Sequence, residues 1–517
     1  MSIISPDRSS TSMHEPAEVV SKQSSLFTEA KSLAHLAIPT IIIQLSFVVP
    51  PFVTASYVGR HLGHVYLDGY TLATVTGNLL SLALLEGFYN ASDTLSPQAF
   101  GAGNYRQVGL LAIRGYVSTL MVMIPINIVL YFGMDKILRA LGQDAEASEY
   151  AWQFYMIYAL SFPFYSLYNI CWKFLSAQNV LAPLVVCTLF STLVVLPVTL
   201  ELLVNSRLGF FGAALAITIF YIVESLAVVF WCWRWKPHHP ETWPGLSAWR
   251  EALEWKPFCA YLALGVGGML AAFEWVYWEA LALLIGTLGV LPLSAHTVPT
   301  QLIWVFFMVP MGLGIALAIR LGATLSQNAS RGRQLALATF CFSVVVFGST
   351  SILVYRWSEL VFSIFTDEDA VKELCREIWF HVCLYIFLLS LFAINVGISI
   401  GLGMQWTLGI VTVVSLWLLG FPASYYYSII KGGGLYAAWV CIWPPYVLIN
   451  ICMGITFLLQ DWNEISNLIR IREGLEKINN GLGDGNLESL ALIETCDNNN
   501  RQSTGQSNGY GSVGSNR

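Results

Sequence analysis

The sequence GGMLAAFEWVYWE, residues 267–279, places two carboxylates, Glu274 and Glu279, inside an apolar segment that extends from about residue 257 to residue 285. The segment is long enough to cross a bilayer, because about 20 helical residues span ~30 Å of hydrocarbon. An ionised carboxylate in that layer costs several kcal/mol, so a chain that keeps one usually turns it toward a polar cavity. We therefore expect the rest of the chain to form the walls of such a cavity.

Composition indicates a polytopic membrane protein. Of the 517 residues, 56% are hydrophobic and 11% are charged, and the mean hydropathy is +0.62, whereas a soluble domain carries about 25% charged residues. Lipid offers no partners to backbone amides, and the apolar runs are longer than the about ten residues of a barrel strand, so the spans must be helices. The predicted fold is all-α, with twelve transmembrane helices in two pseudo-symmetric six-helix bundles.

The apolar runs predict twelve spans in a fixed order along the chain. We place them at 33–58, 66–90, 108–132, 150–175, 181–204, 209–235, 257–285, 291–319, 335–356, 376–400, 406–428 and 434–460. They form an N-terminal bundle, 33–235, and a C-terminal bundle, 257–460, on either side of the linker 236–256, whose prolines prevent a continuous helix.

Polar tails flank the spans. Residues 1–32 are rich in Ser, Thr and charge without an apolar signal segment, and are expected to be a disordered tail. The tail 461–517 begins with apolar residues at helical spacing, which predicts either an amphipathic helix on the membrane face or a continuation of the last span. The Asn-, Gly- and Ser-rich remainder is expected to be disordered.

The basic residues predict the orientation. With twelve spans both termini lie on one side, and 18 of the 26 Lys and Arg residues fall on that side. The positive-inside rule then places both termini in the cytoplasm.

Several classes of partner and activity are disfavoured. The net charge of −6 comes without a basic patch, so no nucleic acid is expected. The ten cysteines lie singly, and His238 and His239 stand without further ligands, so we expect no metal and no cofactor. His35, His296 and His381 have no neighbouring partner acid in the sequence, which disfavours a membrane enzyme. We expect a monomer in the lipid bilayer.

The two halves match weakly when the chain is shifted by 225 residues. Gly87 then falls on Gly312, and the polar turn at 91–104 falls on 316–328. Internal repeats of this kind are typical of transporters, whose substrate site lies between two halves that rock about it. Receptors and membrane enzymes need no such repeat.

Residues 91–104, ASDTLSPQAFGAGN, resemble the signature of the multidrug and toxic compound extrusion (MATE) family, in which a span ends in Ala-x-Asp/Glu-Thr-Leu-x-x-Gln-Ala-Tyr/Phe-Gly-Ala/Ser. The matching residues are Asp93, Thr94, Leu95, Gln98, Ala99, Phe100, Gly101 and Ala102. Weaker similarity is found at Pro310, Gly312, Ala316, Arg320, Gly322, 174–179 and 208–214. The resemblance covers roughly residues 33–460.

The resemblance implies a twelve-helix antiporter that extrudes organic, often cationic, substrates against an inward flow of protons or sodium. Eukaryotic members carry Leu/Phe-Glu-Trp-Trp-x-x-Glu in the seventh span, and FEWVYWE at 273–279 matches both glutamates. Glu274 is therefore the first candidate for proton and substrate coupling. Gln44 and Asn78 fall where such members have polar cavity residues, although a single amide in a helix is often only an interhelical hydrogen bond.

This chain departs from the family pattern at three places. Gln301 stands where many animal members have a further glutamate in the eighth span, and the best register puts Ser390, with Asn395 nearby, where the tenth span has an acid. Glu86 is a carboxylate that the pattern does not include. It either replaces the missing acid or lies near the cytoplasmic end of its span in contact with water.

The physical chemistry of a buried carboxylate supports a coupling role for Glu274 independently of the resemblance. Burial disfavours a charged carboxylate, so a cavity glutamate can hold a proton near neutral pH and exchange it for a cation. Tyr277 and Trp278 follow at helical spacing and would offer ring faces to an organic cation, unless they belong to an interfacial aromatic belt. Glu279 lies about 140° around the helix and is expected to pair with a neighbour or to reach outward.

Two residues of the repeated motif are expected to have structural roles. Asp93 and Arg320, at the cytoplasmic ends of the second and eighth spans, are predicted to fix an inner gate through hydrogen bonds and charge pairs, with Gln98 beside them. The sequence thus favours a proton-coupled exporter of organic cations, drugs or metabolites in a plasma, vacuolar or lysosomal membrane. A lipid-linked oligosaccharide flippase of the same superfamily and a non-transporting receptor are the alternatives.

Overall fold

The computed structural model describes residues 26–365 and 368–474, and all regular structure in these ranges is helical. The spans, numbered α1 to α12, are α1 (Leu26–His61), α2 (His64–Gly77 and Ala83–Gly101, joined by the π-helical turn Asn78–Leu82), α3 (Tyr105–Ala140), α4 (Ala145–Tyr158 and Phe162–Ser176, joined by the 3-10 turn Ala159–Ser161), α5 (Ala182–Val204), α6 (Phe210–Trp235), α7 (Trp255–Gly286), α8 (Val290–Leu325), α9 (Ala329–Arg356), α10 (Asp369–Leu402), α11 (Gln405–Ile430) and α12 (Gly434–Leu459). A further helix, α13 (Trp462–Arg472), follows the last span, and short helices lie at Trp249–Ala252 and Ser358–Phe365.

The predicted twelve-span, all-α fold is confirmed. Ten of the described helices are each long and apolar enough to cross a bilayer, and the second span, which bends by 48°, makes eleven. The twelfth is α4, whose two helical parts are separated only by the turn Ala159–Ser161.

The second half, α7 to α12, is built around α10. This helix is the most deeply buried of the candidate spans and packs closely along α8. The helices touch at Gly314 and Gly397, where a Cβ added to Gly397 would lie 2.2 Å from the Gly314 carbonyl oxygen. Small residues at such crossings allow close backbone approach, which gives membrane helices their packing energy.

The two halves meet mainly through α1 with α8 and α2 with α7. On α2, the segment Ala83–Gly101 contacts α7 and α8, whereas His64–Gly77 packs against α4 of its own half. At Gly87, an added Cβ would lie 2.3 Å from the carbonyl oxygen of Gly265. We call the face at which α1 begins and α12 ends the terminal face, and the seam between the halves is closed there.

Helix ends differ from the predicted spans, since hydropathy detects only the apolar part of a helix. The first helix begins at Leu26, so residues 26–32, predicted to be disordered tail, are helical, and α8 extends to Leu325 rather than to 319. The helix α13 is separate from α12, and it packs on the protein through Trp462 and Ile469, which are buried. Its contact with the membrane face stays a prediction. Residues 1–25 and 475–517, for which disorder was predicted, lie outside the described residues.

Candidate functional site

Glu274 lies in the middle of α7 and is 4% exposed. It borders a cavity of about 30 Å³ between α7, α8 and α10, which is lined by Glu274, Trp275, Trp278, Thr300, Ile303, Trp304, Phe307 and Leu389. Aromatic and aliphatic side chains make up most of the wall, and the carboxylate is its single ionisable group. No Lys or Arg side chain lines this cavity, so no fixed positive charge in its wall balances Glu274.

The volume of this cavity limits what it can hold in the present conformation. A space of about 30 Å³ accommodates one or two water molecules, whereas drug-sized ligands occupy pockets of about 300 Å³ or more. An organic substrate can therefore reach Glu274 only after the aromatic wall has moved. The structure represents a state in which the carboxylate is enclosed.

Tyr446 of α12 holds the Glu274 carboxylate. Its phenolic hydroxyl donates a hydrogen bond of 2.7 Å to Glu274 Oε1. One turn further on, Asn450 donates to the carbonyls of Leu388 and Tyr446 at 3.0 and 2.8 Å, and Asn395 Nδ2 donates to Asn450 Oδ1 at 2.7 Å. Asn395 is thus linked to Glu274 only through Asn450 and Tyr446, and it makes no hydrogen bond to the carboxylate itself.

The two aromatic residues that follow Glu274 take different positions. Trp278 borders the cavity, and its Nε1 donates to the hydroxyls of Tyr385 and Tyr446 at 2.8 and 3.2 Å. Tyr277 is fully buried on the opposite flank, where its ring lies 6.2 Å from that of Trp417. Tyr277 does not line the cavity in this conformation, because an (i, i+3) neighbour is rotated about 60° away from Glu274 in the opposite sense to Trp278. Its contact with the substrate stays a prediction.

The remaining predicted cavity residues lie outside the enclosed space around Glu274. Glu279, Gln301 and Asn78 are exposed, and Gln44 is buried in α1. Asn78 is the first residue of the π-helical turn that interrupts α2. The structure thus brings none of these four side chains together with Glu274.

The tenth span contributes no second acid to the cavity. Ser390, in the predicted register, donates its hydroxyl to the carbonyl of Ile386 at 2.7 Å within its own helix. The residue of α10 that faces the cavity is Leu389. Glu274 is the one carboxylate that lines this space.

Asp93 pairs with Lys173 inside the first half. Its Oδ2 lies 2.7 Å from Lys173 Nζ, and both side chains are at most 5% exposed. Glu86, half-buried two turns earlier on α2, lies within electrostatic range of both charges. Glu86 therefore belongs to a charged cluster of the first half and does not share the cavity of Glu274.

The predicted gate residues Arg320 and Gln98 both bridge the two halves. Arg320 and Arg331 bind the two carboxylate oxygens of Glu29, each at 2.8 Å. Gln98 Nε2 donates to the Gly401 carbonyl of α10 at 2.8 Å. Asp93 was predicted to fix the same gate, but its partner Lys173 belongs to its own half.

Sequence reasoning missed a second enclosed carboxylate. Glu224, in the middle of α6, is 3% exposed and lines a space of about 10 Å³. The other lining residues are Ser46, Phe47, Pro50, Thr188, Phe220 and Tyr221. A lone acid within an apolar run was the available signal, as it was for Glu274.

Two halves of six membrane helices that pack along a seam, with a buried carboxylate facing a cavity within one of them, are the architecture of a membrane transporter. The MatE family model matches residues 39–200 and 269–426. The chain therefore belongs to the multidrug and toxic compound extrusion (MATE) family.

Similar proteins agree with this assignment. Multidrug and toxin extrusion protein 2 of Mus musculus is 26% identical over 451 residues, which cover 87% of this chain and 77% of that protein. Multidrug and toxin extrusion protein 1 of Homo sapiens is 26% identical over 462 residues, covering 89% and 79%. The crystal structure of the eukaryotic MATE transporter AtDTX14 superposes with a TM-score of 0.80 at 22% identity, covering 87% of this chain and 99% of that one.

Proposed function

We propose that this transporter is an antiporter that exports organic cations, drugs or metabolites in exchange for protons, with Glu274 as the coupling group. The observation that carries the proposal is the enclosed carboxylate of Glu274, which faces an aromatic cavity without a fixed cation in its wall. Such a group requires either a proton or a mobile cation as its partner.

Exchange follows from the competition for this single charge. When Glu274 is protonated, the cavity is neutral and a cation gains no electrostatic energy from it. When the proton leaves, the carboxylate and the faces of Trp275, Trp278 and Trp304 form a site for an organic cation. Proton and substrate binding then exclude each other, which couples their opposite movements.

Protons are favoured over sodium as the driving ion. Sodium, as a hard cation, prefers several oxygen ligands, whereas the lining of this cavity supplies one carboxylate and the hydroxyl of Thr300. Tyr446 adds a hydroxyl that is already committed to Glu274.

The alternatives are less compatible with this chemistry. A flippase for lipid-linked oligosaccharides must attract phosphate groups, which calls for Lys or Arg in the cavity, and none lines it. A receptor needs no repeated halves. We further propose a non-enzymatic, monomeric protein in a plasma, vacuolar or lysosomal membrane, with both termini in the cytoplasm as the distribution of Lys and Arg predicts.

Reconstituted vesicles distinguish these functions. We expect a fluorescent organic cation to move when a pH gradient is imposed, and the movement to stop when a protonophore collapses that gradient. Transport that follows a sodium gradient after collapse of the pH gradient would refute proton coupling. A flippase would ignore the gradient, and a receptor would move no dye.

A further inference from the structure

The helix α13 is anchored to the second half of the protein. Trp462, at its first position, donates its indole N–H to the carbonyl of Phe457 at 3.0 Å. Ser466 donates its hydroxyl to the carbonyl of Leu325, at the end of α8, at 2.6 Å. Ile469 completes a buried stripe along the helix. The first two turns of α13 therefore move with α8 and α12.

The far end of α13 crosses to the first half. Arg472 Nη2 donates to Gln98 Oε1 at 2.6 Å, and Asn104 Nδ2 donates to Glu473 Oε2 at 3.1 Å. Arg472 and Glu473 are themselves paired at 3.0 Å, and the Glu473 side chain is 3% exposed. Gln98 lies in the last turn of α2 and Asn104 precedes α3, so two different elements of the first half are held.

These contacts lie across the seam that must open for substrate to enter from the terminal face. Gln98 binds α10 through its amide nitrogen and α13 through its oxygen. Near the other end of the described chain, Glu29 of α1 crosses the same seam to Arg320 and Arg331. Rocking of the halves about the cavity breaks such contacts without disturbing the packing within either half.

We propose that α13, with Arg472 and Glu473, is a latch that holds the terminal face closed and releases once in each transport cycle. The latch is attached to one half by buried apolar contacts, and it reaches the other through the polar contacts of Arg472 and Glu473. It therefore sets the ratio of the two conformations independently of the ion that drives transport. A hydrogen bond that exists in one state and is lost in the other shifts a two-state ratio by about threefold to tenfold.

Asn104→Asp is the variant that tests the latch most directly. An aspartate at this position still suits the residue before a helix, but it faces the carboxylate of Glu473 and repels it. Arg472→Ala removes the contact with Gln98 from the other side. The double variant Asn104→Asp/Glu473→Gln exchanges donor and acceptor, because the new amide can donate to the new carboxylate. Asn467→Ala, at an exposed position of the same helix, is the matched control.

A cysteine at Ser92 reports the opening of the seam. Ser92 is 1% exposed and hydrogen-bonded at 2.7 Å to Tyr261 of α7, across the seam and about two turns from Gln98. All variants are made on Ser92→Cys in a chain without its native cysteines, and maleimide labelling is timed in nanodiscs, where both faces are accessible. We expect about threefold to tenfold faster labelling in Asn104→Asp and Arg472→Ala. The exchanged pair should return toward the parental rate, and Asn467→Ala should match it.

Labelling at the parental rate in both Asn104→Asp and Arg472→Ala would overturn the latch. So would equal acceleration in Asn467→Ala, because the effect would then be general loosening of the helix. A double variant that labels as fast as Asn104→Asp alone would also count against it. None of these outcomes depends on Glu274, so the latch and the proton-coupled function can fail separately.

Discussion

Tyr446 and Glu274 are 172 residues apart in the chain, yet the tyrosine hydroxyl donates a 2.7 Å hydrogen bond to the glutamate carboxylate. The contact joins the last span of the second half to its first. It gives the carboxylate a fixed hydrogen-bond donor within the membrane-spanning part of the protein. The position of Glu274 is thereby defined by a neutral donor rather than by a cation.

Replacement of the tyrosine by phenylalanine removes this donor while the ring continues to pack. A hydrogen bond to a charged group contributes about 1.5–3 kcal/mol, so we expect gradient-driven export by Tyr446→Phe to fall about tenfold or more. Initial rates of dye transport in vesicles, normalised to the amount of reconstituted protein, measure this effect.

Tyr277→Phe is the control for that experiment. Tyr277 lies on the same span as Glu274 and is equally buried, but its ring packs against Trp417. We expect export close to that of the parent protein. Equal losses in Tyr277→Phe and Tyr446→Phe would mean that the hydroxyl of Tyr446 has no particular role.

Trp278 is expected to bind the substrate rather than the proton. A cation over an aromatic face gains about 0.5–2 kcal/mol, so Trp278→Leu should raise the KM for an organic cation about threefold to thirtyfold. Trp278→Phe keeps a ring face, so its KM should lie between that of the parent protein and that of Trp278→Leu. A changed maximal rate with an unchanged KM would instead assign Trp278 to the conformational step.

The fold was predictable because the helical segments are long and apolar. Segments such as 257–285 are too long and too apolar to be anything but membrane helices, and Glu274, one of the two carboxylates inside this one, marked the cavity. The motif at 91–104 predicted the family. It lies at the seam, where close helix contact requires small and polar residues.

Tertiary contacts were beyond what the sequence could predict. Nothing in the local sequence of Tyr446 indicates that it meets Glu274, since the contact depends on how α12 crosses α7. The docking of α13 was missed because an apolar stripe fits a membrane surface and a protein surface equally well. Glu224 carried the same signal as Glu274 but lacked a motif around it.

The buried pair of Asp93 and Lys173 predicts a strong effect on stability. Removal of one partner leaves an uncompensated buried charge, which costs about 3–5 kcal/mol. Lys173→Met should therefore lower the thermal unfolding temperature markedly, and Asp93→Asn/Lys173→Met should recover most of the loss. Thermal denaturation of the purified protein in detergent, followed by intrinsic tryptophan fluorescence, gives both values. If the unfolding temperature of the double variant does not recover, the two residues act separately.

The proton-coupling role of Glu274 is tested most directly by Glu274→Gln in vesicles with an imposed pH gradient. The amide keeps the shape of the side chain and removes its titrating charge, so we predict an unchanged unfolding temperature and loss of gradient-driven export. Glu279→Gln, at an exposed position five residues further along α7, is the matched control and should retain export. If Glu274→Gln exports a cationic dye as the parent protein does, the coupling group lies elsewhere, with Glu86 and then Glu224 as the next carboxylates to replace.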